Sequence, residues 1–260
     1  TVAMTIFGDL DLSTLRQLPG GRAPITTHVI PVREKPHYLD RAWERIKEEV
    51  AKGHQAYIVA PRISDSGDEE SATPKAKISA ADIAMAKLMG DEEFSDEIAN
   101  YEIAGEPKMT SVEVLAPMLA TGALKGLRLA PLHGRQSPDL KDETMSAFAN
   151  GELDVLVSTT VIEVGVDVAN ASVMVIMDAD RFGVSQLHQL RGRVGRGSTP
   201  GLCLLVSGAE PDSPAMARLT AVAGTLDGFE LSRIDLDQRR EGDVLGRAQS
   251  GTKSHLRLLR

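Results

Sequence analysis

Gln189, Arg193 and Arg196 stand in a run, 189–197, in which Gly192, Gly195 and Gly197 interleave with arginines. Their spacing of i, i+4 and i+7 is that of one helix face, so a helix is expected over 186–196. Two guanidiniums on one face can neutralise the charge that gathers on a transferring phosphoryl group. Glycine is worse than alanine in a helix by about 1 kcal/mol per residue. Three glycines here imply that something approaches the backbone closely. An isolated arginine pair is usually a solvated face. The interleaved glycines and a second motif argue against that reading.

The second motif is Ser158-Thr159-Thr160, which ends an apolar run at 154–158, followed by Gly165 and Asp167. A buried strand that ends in hydroxyls and free backbone N–H groups suits a phosphate oxygen. Gly165 permits a tight backbone, and Asp167 adds a carboxylate two residues on. Alone, such a cluster is more often just a helix cap. A third candidate is His133-Gly134, which follows the strand-like run 127–131. No loop of the form G-x-x-x-x-G-K-S/T is present. Residues 246–254 come near it with one residue too many, and they follow a helical pattern rather than a buried strand. Asp178 follows an apolar strand but lacks an adjacent glutamate, and reads as a strand-end carboxylate.

These residues need a scaffold of strands and helices. The β-branched run 25–32 precedes a helical pattern at 37–52, which Gly53 closes. The run 55–60 is of buried-strand type and stops at Pro61. A helix is expected over 111–124, and another from Ser137 or Asp139 to Asn150, stopped by Gly151. Buried-strand runs recur at 154–158, 172–177 and 202–206. Strands alternating with helices imply an α/β fold, a parallel sheet flanked by helices. Beyond Ser207 two helical stretches, 215–226 and 230–240, joined at Asp227-Gly228, read as an appended C-terminal helical hairpin.

Composition narrows the function. The 260 residues are 42% apolar and 25% charged, as in ordinary globular domains. One cysteine, Cys203, excludes a disulfide framework and a cysteine-based zinc site, and suits a reducing cytoplasm. No metal site is expected, and no apolar run approaches a membrane helix in length. Aromatics at 3% argue against base-stacking platforms. The net charge of −8 is misleading for nucleic-acid binding. Residues 65–106 hold twelve acidic residues against three lysines, a local −9 that leaves the rest at +1. That stretch reads as an acidic, mobile insertion in which only 78–89 could form a short helix. Residues 181–260 carry twelve cations, eleven of them arginine, against eight acids.

Together the motifs at 158–168 and 189–197 resemble motifs V and VI of superfamily 2 helicases. His133-Gly134 with its following helix resembles the intervening motif that touches the nucleic-acid backbone. The fuller run 186–197 is similar to that of RecG-type branch-migration helicases and of Mfd-type transcription–repair translocases. Both share a further element, TRG, that couples ATP turnover to movement on duplex DNA. Residues 235–239 and 245–251 look like it, although Arg240-Glu241-Gly242 and Ala248 depart from the usual Gly-Pro-Gly and Arg. Asp227-Gly228-Phe229, with the stretches 8–11 and 18–22, favours the RecG type.

The resemblance implies a RecA-like second motor lobe over 25–207, a lead-in at 1–24 from a first lobe, and the TRG hairpin and loop at 208–260. It implies that Arg193 and Arg196 reach the ATP γ-phosphate, one as arginine finger, while Gln189 positions nucleotide and water. Gly165 and Asp167 would approach the nucleotide, and His133, Gly134, Thr159 and Thr160 the DNA backbone. Arg239 and Gln249 would couple hydrolysis to movement. ATP and Mg²⁺ would be held mainly by the first lobe. The implied partners are branched double-stranded DNA and the first lobe and wedge domain of one monomeric, cytoplasmic polypeptide. A second reading makes the chain alone a DNA- or partner-binding module without catalysis.

Overall fold

A computed structural model describes residues 23–64, 77–79, 102–104, 110–163, 168–197, 199–228 and 230–233. Its main sheet has six strands: β1 (Ile25–Pro31), β2 (Gln55–Val59), β5 (Leu129–Leu132), β6 (Val155–Ser158), β7 (Ala171–Ile176) and β8 (Gly201–Ser207). They lie in the order β1-β8-β7-β2-β6-β5, and every pairing is parallel. Every residue of β2, β6 and β7 is buried. A parallel sheet covered on both faces demands such unbroken apolar runs, which is why these strands stand out in the sequence.

Alternate residues feed two cores. Ala56 and Ile58 of β2, with Val155 and Val157 of β6, pack with Trp43 and Ile46 of α1 (His37–Ala51) and with Leu115 and Leu119 of α2 (Val112–Thr121). Tyr57 and Leu156 face the other way. They join Phe148 of α3 (Pro138–Ala149), Leu187 and Leu190 of α4 (Val184–Arg191), and Leu219 and Val222 of α5 (Pro214–Gly224). Ser137, rather than Asp139, caps α3, its hydroxyl accepting the N–H of Leu140 at 3.3 Å. No helix among the described residues is long and apolar enough to cross a membrane.

Two expectations need correction. The helix expected over 186–196 ends at Arg191, five residues early. Within the acidic stretch, Lys77–Ser79 forms a strand, β3, paired in parallel with β4 (Glu102–Ala104), where a helix was expected to begin. The rest of 65–106, the lead-in at 1–22 and the hairpin beyond Arg233 lie outside the described residues.

Near the end of α1 sits Glu49, 4% exposed. Burial alone would raise its carboxyl. Hydrogen bonds from Lys52 (2.8 Å), His54 Nδ1 (2.7 Å) and Ser172 (3.1 Å), and the charge of Arg45, outweigh burial and hold it at about 2, below its ordinary 4.5. A depressed carboxylate adds stability that is complete above about pH 5 and fades as the pH falls towards 2. The gain is at most about 3 kcal/mol, and less in salt because Arg45 and Lys52 reach solvent. Glu49→Gln should therefore lower the melting temperature at pH 7 and flatten its decline between pH 5 and pH 2.5. Thermal melts across that range check this, and a decline as steep as in the parent chain would contradict it.

Candidate functional site

The candidate residues gather at two places. At the carboxyl ends of β5 and β6, Leu132 pairs with Ser158, so the residues that follow each strand come out side by side. His133 is 9% exposed. Its N–H donates to Gln136 Oε1 at 3.0 Å, and Gln136 Nε2 donates back to the carbonyl of Pro131 at 3.1 Å. This side-chain brace fixes the turn after β5. The ring Nε2 lies 4.0 Å from Glu113 Oε1. His133 Nδ1 and the hydroxyl of Ser158 are buried and meet no partner among the described residues. Gly134 opens onto free space, where an added Cβ would touch nothing. Thr159 is buried, and half-buried Thr160 opens the short 3₁₀ turn Thr160–Glu163. The Thr159 amide was expected to be free, but it donates to Leu132 at 3.2 Å. Unsatisfied polarity at this edge therefore sits on side chains. Gly165 and Asp167 lie outside the described residues.

The second place lies at the opposite end of the sheet. Helix α4 runs back from the end of β7 to the start of β8. Gln189 is exposed near its last turn. Arg193 and Arg196 are not on the helix but in the turn beyond it, both half-buried. The turn keeps helix-like bonds at first, with the Arg193 N–H on Leu190 at 2.9 Å. It then breaks at Gly195, whose φ of +67° only glycine adopts freely. The Gly195 N–H donates to Ala171, the first residue of β7, at 3.3 Å.

A Cβ on Gly195 would come within 3.0 Å of Ile25 and 3.2 Å of the Gly201 nitrogen, and one on Gly197 within 2.8 Å of the Ala169 carbonyl. The close approach inferred from these glycines is therefore real, but the chain itself makes it, through the amino ends of β1, β7 and β8. Arg196 Nε donates to the carbonyl of Gly192 at 2.9 Å. The guanidinium is thereby steadied on the last turn of α4 by a neutral oxygen.

Residues 107–198 match the family model of the helicase conserved C-terminal domain. The whole chain aligns with ATP-dependent DNA helicase RecG of Mycobacterium tuberculosis, 54% identical over 259 residues. It aligns over 98% of its length with the same-named protein of Staphylococcus aureus, at 38% identity. In both cases it spans 31% of the relative's length. A solved structure of RecG bound to a three-way DNA junction superimposes on 90% of the chain, with a TM-score of 0.56 at 33% identity, and the match covers 25% of that chain. Over its whole length the chain is thus similar to part of these RecG helicases, and it carries the helicase conserved C-terminal domain. The parallel sheet described above thus has the RecA-like fold of a helicase C-terminal lobe.

In this domain Arg193 and Arg196 and the His133–Thr160 edge occupy opposite ends of one sheet rather than one pocket. Asp178 is the strand-end carboxylate expected, accepting the N–H of Thr110 at 2.6 Å. Arg239 and Gln249 lie outside the described residues.

One motif residue escaped the sequence reading. Arg191 is 2% exposed. Its Nη1 donates to the carbonyls of Val222 (2.7 Å) and Thr225 (2.8 Å), and its Nη2 meets His188 Nδ1 at 2.8 Å. Burial lowers its pKa, and burial together with Arg191 lowers that of His188; since a guanidinium only donates, His188 Nδ1 is the acceptor of this bond. The His188 ring also abuts Gly228, where an added Cβ would lie 3.2 Å from Nε2. Arg191 thus ties α4 to the end of α5 and the chain beyond it. Its signal was present in the sequence: it falls on the stripe Val184, Leu187, Leu190, Arg191, all buried.

Arg191→Leu strands two carbonyls, at a cost of about 2–3 kcal/mol. Hydrogen exchange should accelerate at the amides of 222–231 while β2, β6 and β7 stay protected. Unchanged exchange at 222–231 would show that the clamp carries no load.

Proposed function

We propose that this domain is the second motor lobe of an ATP-dependent helicase and translocase that acts on branched double-stranded DNA, such as stalled forks and Holliday junctions. The observation that carries the reading is the turn 192–197. It is held rigidly by its glycines and brings Arg193 and Arg196 to one edge of a lobe that has no phosphate-cradling loop. A first motor lobe, preceded by a wedge domain, cradles ATP and Mg²⁺. Arg193 and Arg196 then approach the γ-phosphate across the gap between lobes. Their charge offsets what develops on the transferring phosphoryl group, Gln189 helps to orient water, and Gly165 and Asp167 face the nucleotide. Closure over ATP and opening after hydrolysis move one lobe against the other.

The His133–Thr160 edge faces the DNA. Its buried His133 Nδ1 and Ser158 hydroxyl are polar groups that lack a protein partner among the described residues. Thr159 and Thr160 stand beside them, and Gly134 leaves space for a phosphate. Movement of α4 passes through the Arg191 clamp to α5 and onward to the TRG element, where Arg239 and Gln249 act. The similar ATP-dependent DNA helicases support that activity, and the junction-bound relative supports a branched substrate. The similarity to RecG helicases also favours this reading over an Mfd-type translocase.

In the intact helicase, Arg196→Ala should leave DNA binding nearly unchanged and cut DNA-stimulated ATP turnover by roughly three orders of magnitude. Steady-state hydrolysis with a parallel DNA-binding titration checks this, and near-normal turnover would refute the finger role. The isolated domain should hydrolyse no ATP; if it serves only as a binding module, its affinity for DNA should fall steeply with salt. Arg239→Ala or Gln249→Ala should keep ATP hydrolysis while unwinding is lost. Equal loss of both activities would count against coupling.

A further inference from the structure

The turn that carries Arg193 and Arg196 is anchored on its far side as well, by a partly buried chain of polar groups that no helicase motif includes. The chain begins at Glu49. A buried carboxylate near the carboxyl end of a helix opposes the helix dipole and costs desolvation unless hydrogen-bond donors or cations surround it. Four donors do so: Arg45 Nη2 at 2.9 Å, Lys52 Nζ at 2.8 Å, His54 Nδ1 at 2.7 Å and the Ser172 hydroxyl at 3.1 Å.

Three of these hold the carboxylate in place. The fourth, His54, passes the order on. With Nδ1–H given to Glu49, the opposite ring nitrogen, Nε2, is presented to the hydroxyl of Thr199 at 3.3 Å. Thr199 lies three residues beyond Arg196. The ring is fixed from its own backbone too. The His54 N–H donates to the Glu49 carbonyl at 3.0 Å, and Asn170 Nδ2 donates to the Gly53 carbonyl at 2.7 Å. The turn itself is pinned where Gly195 and Gly197 meet Ala171, Gly201 and Ala169. The arginines therefore sit in a turn held at its start by the Arg193 N–H on Leu190, in its middle by the Gly195 and Gly197 backbone contacts, and just beyond Arg196 by the Glu49–His54–Thr199 chain.

We propose that His54, oriented by Glu49, is a positioning residue for ATP hydrolysis: through Thr199 it fixes the register of the turn that presents Arg193 and Arg196. The proposal rests on the reading of those arginines as ATP contacts. It predicts that loosening the Thr199 anchor lowers turnover more than nucleotide affinity, because the arginines matter most when charge develops on the phosphoryl group.

The test uses the intact helicase with duplex or branched DNA in excess. Thr199→Val keeps the shape and removes the hydroxyl; Thr199→Ser keeps the hydroxyl. Thr199→Val should lower kcat for ATP roughly tenfold, with KM for ATP changed less than twofold, and Thr199→Ser should restore the parent rate. His54→Ala should cost about the same as Thr199→Val, and the double variant no more than either, because both break one chain. If His54→Ala does not fold, the Thr199 pair decides alone.

Parent-like turnover in Thr199→Val overturns the proposal. So does an equal loss in Thr199→Ser, additive losses in the double variant, or a lower melting temperature with unchanged kcat. Arg196→Ala serves as the reference. If it abolishes turnover while Thr199→Val does not, the anchor alone is wrong. If it also turns over normally, the reading of the arginines has failed.

Discussion

The backbones of Gly195 and Gly201 lie so close that a methyl group on either would meet the other's nitrogen at 3.1–3.2 Å. This contact folds the segment after α4 flat against the amino ends of β1, β7 and β8. Gly197 extends it against Ala169. Arg193 and Arg196 inherit their position from it: a flexible loop would let both guanidiniums wander, and pre-organised charge is what electrostatic catalysis requires. The tight packing also explains why so costly a set of glycines stands in this run.

The same segment connects outward in two directions. Through Arg191, α4 grips the carbonyls of Val222 and Thr225, so displacement of the arginine turn is felt at the end of α5. Along the sheet, six parallel strands, three of them wholly buried, run between the end that carries the arginines and the end that carries His133 and Thr159. A close-packed sheet transmits displacement rather than absorbing it. The arginine turn and the His133–Thr160 edge thus sit at opposite ends of one sheet, the arrangement from which the proposed nucleotide and DNA contacts are argued.

Much of this was legible in the sequence, for identifiable reasons. Strands β2, β6 and β7 announced themselves because burial on both faces allows no polar interruption. The caps at Ser137 and Gly53 were visible because their chemistry is local. The end of α4 was not, since the turn after Arg191 keeps hydrogen bonds of helical sense until Gly195 reverses φ. Strand β3 at 77–79 was missed because its partner lies at 102–104, and periodicity carries no information on pairing at that separation. Arg191 was within reach of the sequence, because its spacing from Val184 and Leu187 places it on the buried stripe. His54 and Thr199 share no local pattern at all; only the fold brings them together.

The decisive experiment is a structure of the intact helicase with DNA and ADP–aluminium fluoride, which mimics the phosphoryl group in flight. Both Arg193 and Arg196 should place guanidinium nitrogens about 3 Å from the fluoride or β-phosphate oxygens, across a closed gap between lobes. If both side chains instead face solvent or DNA, with the nucleotide met by other residues, the account of this lobe as the donor of catalytic arginines is wrong.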